Sequence, residues 1–254
     1  MHASIHDGIR LSRAQSFPFR HNDIQHLKER IGQSKSNIFV VVESVYSMDG
    51  DVAPLKEMAD ICALNNANLI VDEAHATGVY NNGLVQQLHL EENVFARVHT
   101  FGKALGCHGA IVAGSKTLRD YLVNYARSFI YTTALPMHSI VSIECAYKLL
   151  EKSGNVVKKL HDVIEYFRQK AYNQKSTKGK WIDSHSAIQS LLVTGNESVK
   201  KLARAIQEHD MDVRPIMSPT VPRGKERVRI CLHAYNTQSE IDKLLEIING
   251  QFIK

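Results

Sequence analysis

Three short strand-like runs, 37–43, 68–72 and 97–101, deliver at their carboxyl ends side chains that can bind charge or move protons: Glu43 and Ser47, Asp72 and His75, and Thr100 and Lys103. In open α/β sheets the ligand crevice lies at the carboxyl ends of the strands. Delivery of acid, imidazole and amine to one rim by three successive strands therefore points to acid–base chemistry on a bound ligand. Single residues say less. An aspartate such as Asp72 is as often a helix cap or turn former, and an isolated lysine is usually a solvated surface charge. The glycines flanking Lys103, Gly102 and Gly106, and its place at a strand end reverse that preference.

The elements that must position these groups are legible in the pattern. The run 37–43 is apolar and β-branched without alternation, as for a strand covered on both faces. Leu55, Met58, Ala59, Cys62 and Ala63 repeat at helical spacing, and 68–72 is again a buried strand, so that a βαβ unit and a mainly parallel sheet are expected. A helix precedes this unit, with Ile24, Leu27 and Ile31 on one face behind caps at 21–23. Strands are expected at 97–101 and 110–114. Beyond Pro136 come helical patterns over 138–150 and 155–173, strands near 187–194, 211–217 and 226–232, a helix near 197–208 and a terminal helix from 238. The reading is an α/β domain over 1–136 and a smaller α+β domain over 137–254, with an exposed turn at 176–180.

The chain has 254 residues, 44% hydrophobic and 22% charged, the balance of a globular protein. Its net charge of +5 (31 Lys and Arg against 26 Asp and Glu) is interspersed, without the basic block of a nucleic-acid arm, so no nucleic-acid partner is expected. No apolar run approaches the roughly 18 residues of a spanning helix, and the first residues lack the regions of a secretory signal; no membrane partner and a cytoplasmic location are expected. Cys62, Cys107, Cys145 and Cys231 form no CxxC pair, which disfavours zinc sites and disulfides.

The stretch 71–75, Val-Asp-Glu-Ala-His, also looks like the Mg²⁺-binding box of a helicase. That reading needs GxxxxGK[ST] upstream, whereas Gly102-Lys103, Gly179-Lys180 and Gly224-Lys225 lie downstream and are followed by Ala, Trp and Glu. The words Glu43-Ser44-Val45-Tyr46-Ser47-Met48-Asp49-Gly50-Asp51, Asp72-Glu73-Ala74-His75-Ala76-Thr77-Gly78, Thr100-Phe101-Gly102-Lys103-Ala104-Leu105-Gly106 and Pro219-Thr220-Val221-Pro222 instead resemble the α-oxoamine synthases. These are pyridoxal-phosphate enzymes of the aspartate aminotransferase fold, and the resemblance runs over essentially the whole chain. The flanks 127–136, 213–216 and 227–230 resemble the biotin-biosynthetic branch, which joins L-alanine to a pimeloyl thioester and yields 8-amino-7-oxononanoate. The 2-amino-3-ketobutyrate ligases and 5-aminolevulinate synthases share the core words.

The resemblance implies that Lys103 carries the cofactor as a Schiff base and moves the α-proton, with partial burial lowering its pKa. It implies that Asp72 pairs with the pyridinium nitrogen, that His75 reaches the phenolic oxygen, and that His2 lies over the ring, the alternative being a solvated terminal histidine. Ser47 and Glu43 match cofactor-site words, Thr100 a phosphate ligand, and Thr220 and Arg229 the segment that holds the substrate carboxylate. Arg227 stands as the alternative anchor if the strand register slips by one. No metal is implied. The implied partners are L-alanine, pimeloyl-CoA or pimeloyl-acyl carrier protein, and a second copy of the chain in a homodimer. The family's large domain ordinarily begins well before the word at residue 2. The sequence is therefore read as a C-terminal portion, with a degenerate fragment or interaction subunit as the alternative to an active synthase. On that reading the strands at 38–42 and 68–72 should lose covering neighbours.

Overall fold

The computed structural model describes residues 1–34, 36–173 and 179–251. It divides into two compact units, one of residues 1–45 and 53–153 and one of residues 46–52 and 154–254. The expected boundary at 136/137 thus falls elsewhere. The helix that begins at Met137 keeps its contacts with the first unit, and a seven-residue excursion after the first strand belongs to the second.

The first unit is built on strands β1 (Phe39–Glu43), β2 (Asn68–Asp72), β3 (Ala96–Thr100) and β4 (Ala110–Gly114), hydrogen-bonded in that order. The β1–β2 and β2–β3 pairs are parallel, with Glu43 opposite Asp72 and Asp72 opposite Val98. β3 and β4 are antiparallel. Their connection is too short for the crossover of a dozen or more residues that a parallel pair needs, so the sheet is mixed. Helices α1 (Ala3–Ser12), α2 (Ile24–Gly32), α3 (Leu55–Leu64), α4 (Leu84–Gln87), α5 (Lys116–Tyr125), α6 (Arg127–Ile130) and α7 (Met137–Lys152) complete the unit.

α3 forms because Leu55, Met58, Ala59 and Cys62 recur on one face, and that face is buried. It packs against β2, where Leu69 and Val71 are sealed, as are Val40 and Val42 beside them on β1. Alternation along a strand places Val41 and Ile70 on the opposite face, and these are only half-buried. The expectation of strands covered on both faces is corrected: one face is sealed and the other partly open. Exposure along these two strands is correspondingly greater on that second face. It is β4 that stands open, with Ile111 and Val112 about half exposed.

The second unit carries an antiparallel sheet in the order β5 (Lys180–Trp181), β6 (Ile188–Leu192), β8 (Arg227–Cys231), β7 (Arg214–Ile216). Helices α8 (Gly154–Tyr172), α9 (Asn196–Gln207) and α10 (Gln238–Gly250) bury one stripe each, and Phe167, Leu191, Ile206, Val228 and Ile248 form the centre of the core. α10 begins with a capping box between Thr237 and Glu240. The excursion 46–52 is bound to this sheet. Ser190 Oγ donates to the Met48 carbonyl (2.8 Å) and Ser184 Oγ to that of Gly50 (2.9 Å). Gly50 has φ +76°, and a Cβ there would come 2.1 Å from the Ile188 oxygen, so only glycine fits. Of the turn expected at 176–180, residues 176–178 lie outside the described residues.

Candidate active site

In the first unit the carboxyl ends of β1, β2 and β3 bring together most of the residues singled out by sequence. Parallel register sets Glu43 and Asp72 side by side, and both are buried. Asp72 Oδ1 accepts from the Ala74 amide at 2.9 Å. Burial is the largest influence on its carboxyl and pushes the pKa up. The Ala74 amide opposes that shift, Glu43 adds to it, and the charges of Lys103 and His2 pull it down. Three of the predicted groups, Glu43, Lys103 and His2, thus lie within electrostatic reach of a fourth, Asp72. A buried carboxylate near a second one is costly unless a cation is close, and this rim supplies cations from two directions.

His2 is the N-cap of α1, its Nδ1 accepting from the Ser4 amide; neither this helix nor the cap was expected from sequence. His75 follows Asp72 and is itself half-buried, in a loop whose neighbouring residues Glu73, Ala74, Ala76 and Thr77 are buried. The expectation of a partly buried Lys103 is corrected: the residue is exposed, in a turn closed by the Gly106 amide on the Lys103 carbonyl (3.0 Å). A glycine-rich turn has few side chains with which to cover its own lysine. Thr100 ends β3, and its Oγ1 is buried with no hydrogen-bond partner among the described residues. Such a hydroxyl costs about 1–3 kcal/mol when left unpaired.

Ser47 and the arginine candidates belong to the second unit. Arg229 Nη1 donates to the Ser47 carbonyl at 3.1 Å, while Arg229 Nε is buried and unpartnered among the described residues. Arg227 lies two residues away in the same strand and so on the same face. A register slip of one would therefore have moved both, and pairing is what distinguishes them. Arg227 is held by Asp49 in an ion pair, and its Nε and Nη2 both donate to the Lys225 carbonyl. All three nitrogens of Arg227 are engaged, whereas Arg229 keeps its Nε uncommitted among the described residues. Thr220 sits exposed in the turn after the cis Ser218–Pro219 bond. Asn196 braces that turn through both atoms of its amide, to the Ser218 carbonyl and amide.

Sequence reading passed over Glu73, whose carboxylate is fully buried beside Asp72. The signal was present in Gly83, a glycine whose φ of +126° lets the chain close on that carboxylate.

Comparison with known proteins bears on this arrangement. A curated 8-amino-7-oxononanoate synthase from Emericella nidulans is 46% identical over 98% of this chain and 65% of its own length. One from Marinobacter nauticus is 37% identical over 97% of this chain and 63% of its own length. The chain spans less than two-thirds of the length of these relatives. Among solved structures, a serine palmitoyltransferase from Sphingomonas wittichii superposes with TM-score 0.90 at 27% identity, covering 99% of this chain and 64% of that one. An 8-amino-7-oxononanoate synthase from Francisella tularensis gives 0.85 at 28%, covering 98% and 72%. The fold is that of these enzymes, an aspartate aminotransferase-like α/β architecture. The model of the aminotransferase class I and II family matches residues 1–248, and the chain belongs to that family.

Proposed function

We propose that this chain carries the cofactor rim of a pyridoxal-phosphate-dependent α-oxoamine synthase that condenses L-alanine with a pimeloyl thioester, on CoA or acyl carrier protein, to 8-amino-7-oxononanoate. The observation that carries the reading is the juxtaposition of buried Asp72 with Glu43, Lys103 and His2 at one strand rim, where Thr100 leaves a buried hydroxyl unpaired. The names of the sequence relatives support the substrates, and a serine palmitoyltransferase solved with PLP (TM-score 0.89, 27% identity) supports the cofactor.

The residues fit the group. Thr100 would take a phosphate oxygen, Asp72 the ring nitrogen, His75 the phenolic oxygen, Lys103 the aldehyde carbon, and His2 the ring face. When bound, the cofactor supplies an electron sink for the carbanion at the amino acid's α-carbon. Asp72, buried at the strand end, would hold a proton on the ring nitrogen by hydrogen bonding to it. Arg229, whose Nε–H has no partner among the described residues, would hold the alanine carboxylate, for which its planar fork is suited. The Lys103 amine accepts the α-proton. A C–C bond then forms between the α-carbon and the thioester carbonyl as the C–S bond breaks and a thiolate leaves, to be protonated by solvent. The carboxylate departs as CO₂, and Lys103 returns a proton to the carbon. A homodimer working in the cytoplasm belongs to the same reading.

Borohydride trapping of the chain mixed with pyridoxal phosphate, followed by peptide mapping, tests it. Label is expected at Lys103, and label on other lysines with none at Lys103 would sink the assignment. Offering serine with a long-chain acyl thioester beside alanine with the pimeloyl thioester separates this reading from a serine palmitoyltransferase-type activity, which the TM-scores also accommodate.

A further inference from the structure

Glu73 Oε2 accepts from the Ser44 hydroxyl (2.7 Å) and the Leu84 amide (3.0 Å), and Oε1 from the Val85 amide (2.7 Å). All three partners are donors, which is what an ionised carboxylate requires. Burial pushes the Glu73 carboxyl up, and the Val85 amide, the Ser44 hydroxyl and the Leu84 amide pull it back. Leu84 and Val85 open α4, so the chain that leaves β2 is closed onto its own start. Gly83 makes the closure possible, since a Cβ there would lie 2.8 Å from the carboxyl carbon. Two further bonds brace the loop. The Thr77 hydroxyl donates to the Glu73 carbonyl (2.9 Å) while meeting His99 Nδ1 at 2.8 Å, and the Ser44 amide donates to the Asp72 carbonyl (2.9 Å). Asp72 stands at the neck of this closed loop and His75 within it.

We infer that Glu73 is a positioning residue: its carboxylate closes the 73–85 loop and thereby fixes the directions in which Asp72 and His75 present their side chains at the rim. What those two groups do there rests on the cofactor reading above; that Glu73 sets them does not. A mere stabiliser would raise the melting temperature and leave the behaviour of Asp72 unaltered, and the two roles separate in experiment.

Glu73→Gln keeps the shape but turns an NH₂ toward at least one backbone N–H in either orientation. In the cofactor-free chain, amide exchange at Ala74, whose N–H is bonded to Asp72, is expected to accelerate together with that at Leu84 and Val85. Pyridoxal phosphate should bind roughly tenfold more weakly, the scale of one unpaired buried donor. The pH profile of the bound cofactor's absorbance should also shift, because Asp72 no longer holds its partner in line. Met58→Ala, a cavity in the fully buried face of α3, supplies the comparison: it should lower the melting temperature without moving that profile. If the Gln variant does not fold, Ser44→Ala removes one of the three donors and should give the same changes at smaller size. A folded Gln variant with native Ala74 exchange and an unmoved profile would overturn the inference. If the parent chain takes up no pyridoxal phosphate, the functional reading fails, and Ala74 exchange alone still decides the role of Glu73.

Discussion

Within the first unit, β1, β2 and α3 bury nearly every apolar side chain on their facing surfaces, whereas β4, α5, α6 and α7 contain no buried residue. The second group is not less apolar. Tyr121, Tyr125, Phe129, Tyr131, Met137 and Leu149 are all more than half exposed. The difference teaches that these helices are specified locally, by caps and i,i+4 pairs such as Lys116–Asp120 and Glu144–Lys148, while β1, β2 and α3 are specified by what they pack against.

The largest effect expected is the contrast between two leucines. Leu69→Ala on β2 removes a side chain that is 1% exposed and should cost about 2–5 kcal/mol. Leu149→Ala on α7, at 67% exposure, should cost within about 0.5 kcal/mol. Urea midpoints of the two variants measure this directly. Equal losses would mean that α7 is packed in solution and would break the comparison.

The next effect belongs to the buried half alone. Desolvation lowers the pKa of His99 to about 4, with Arg97 adding to the shift. The native state therefore holds His99 neutral where the unfolded chain, with its imidazole near 6.5, takes up a proton. The unfolded state binds more protons between those values, so this contribution is fully present above about pH 6.5 and is lost as pH falls toward 4. It reaches at most about 3 kcal/mol, at 1.36 kcal/mol per pKa unit. The raised carboxyls of Asp72 and Glu73 act in the opposite sense, stabilising the native state as pH falls. The clean measurement is thus the difference between parent and His99→Gln in urea midpoint at pH 7 and pH 5. A gap that narrows at pH 5 is expected; a gap independent of pH would place the imidazole in contact with solvent.

How much was legible follows the same division only in part, since β4 and α7 bury nothing and were still expected at 110–114 and 138–150. Helical recurrence of Leu55, Met58, Ala59 and Cys62 and the unbroken apolar runs at 39–43 and 68–72 named α3, β1 and β2, because burial against a neighbour writes its period into the sequence. α1 and α5 were missed because they bury nothing, and their marks are single capping residues, His2 and Ser115. At the rim, Asp72, Glu43, Lys103 and His2 were readable as words of a family. The clasp at Glu73 was not, since it depends on backbone amides eleven and twelve residues away. The excursion 46–52 was equally hidden: its anchors, Ser184 and Ser190, lie 134 and 142 residues downstream of the carbonyls that they hold. The relation of Arg227 to Arg229 was misjudged on a point of geometry, because residues two apart in a strand cannot be exchanged by a slip of one.

The smallest effect sharpens the comparison most. Ser115 caps α5 by accepting from the Leu118 amide at 3.1 Å, and Ser115→Ala should remove about 1 kcal/mol. α5 has ten residues and buries none of them, and isolated helices shorter than roughly 12–15 residues are marginal in water. With so little else holding it, the loss should appear as local melting: faster amide exchange across 116–125 and an unchanged global urea midpoint. Thr237→Ala removes a cap of the same kind from α10, where Ile241, Leu244, Leu245 and Ile248 are buried. Packing there ties the helix to its core, so the same loss should appear in the unfolding of the second unit and leave local exchange within α10 nearly unchanged. If Ser115→Ala instead lowers the global midpoint as Thr237→Ala does, then α5 is coupled to a core, and the distinction between locally and tertiarily specified halves fails.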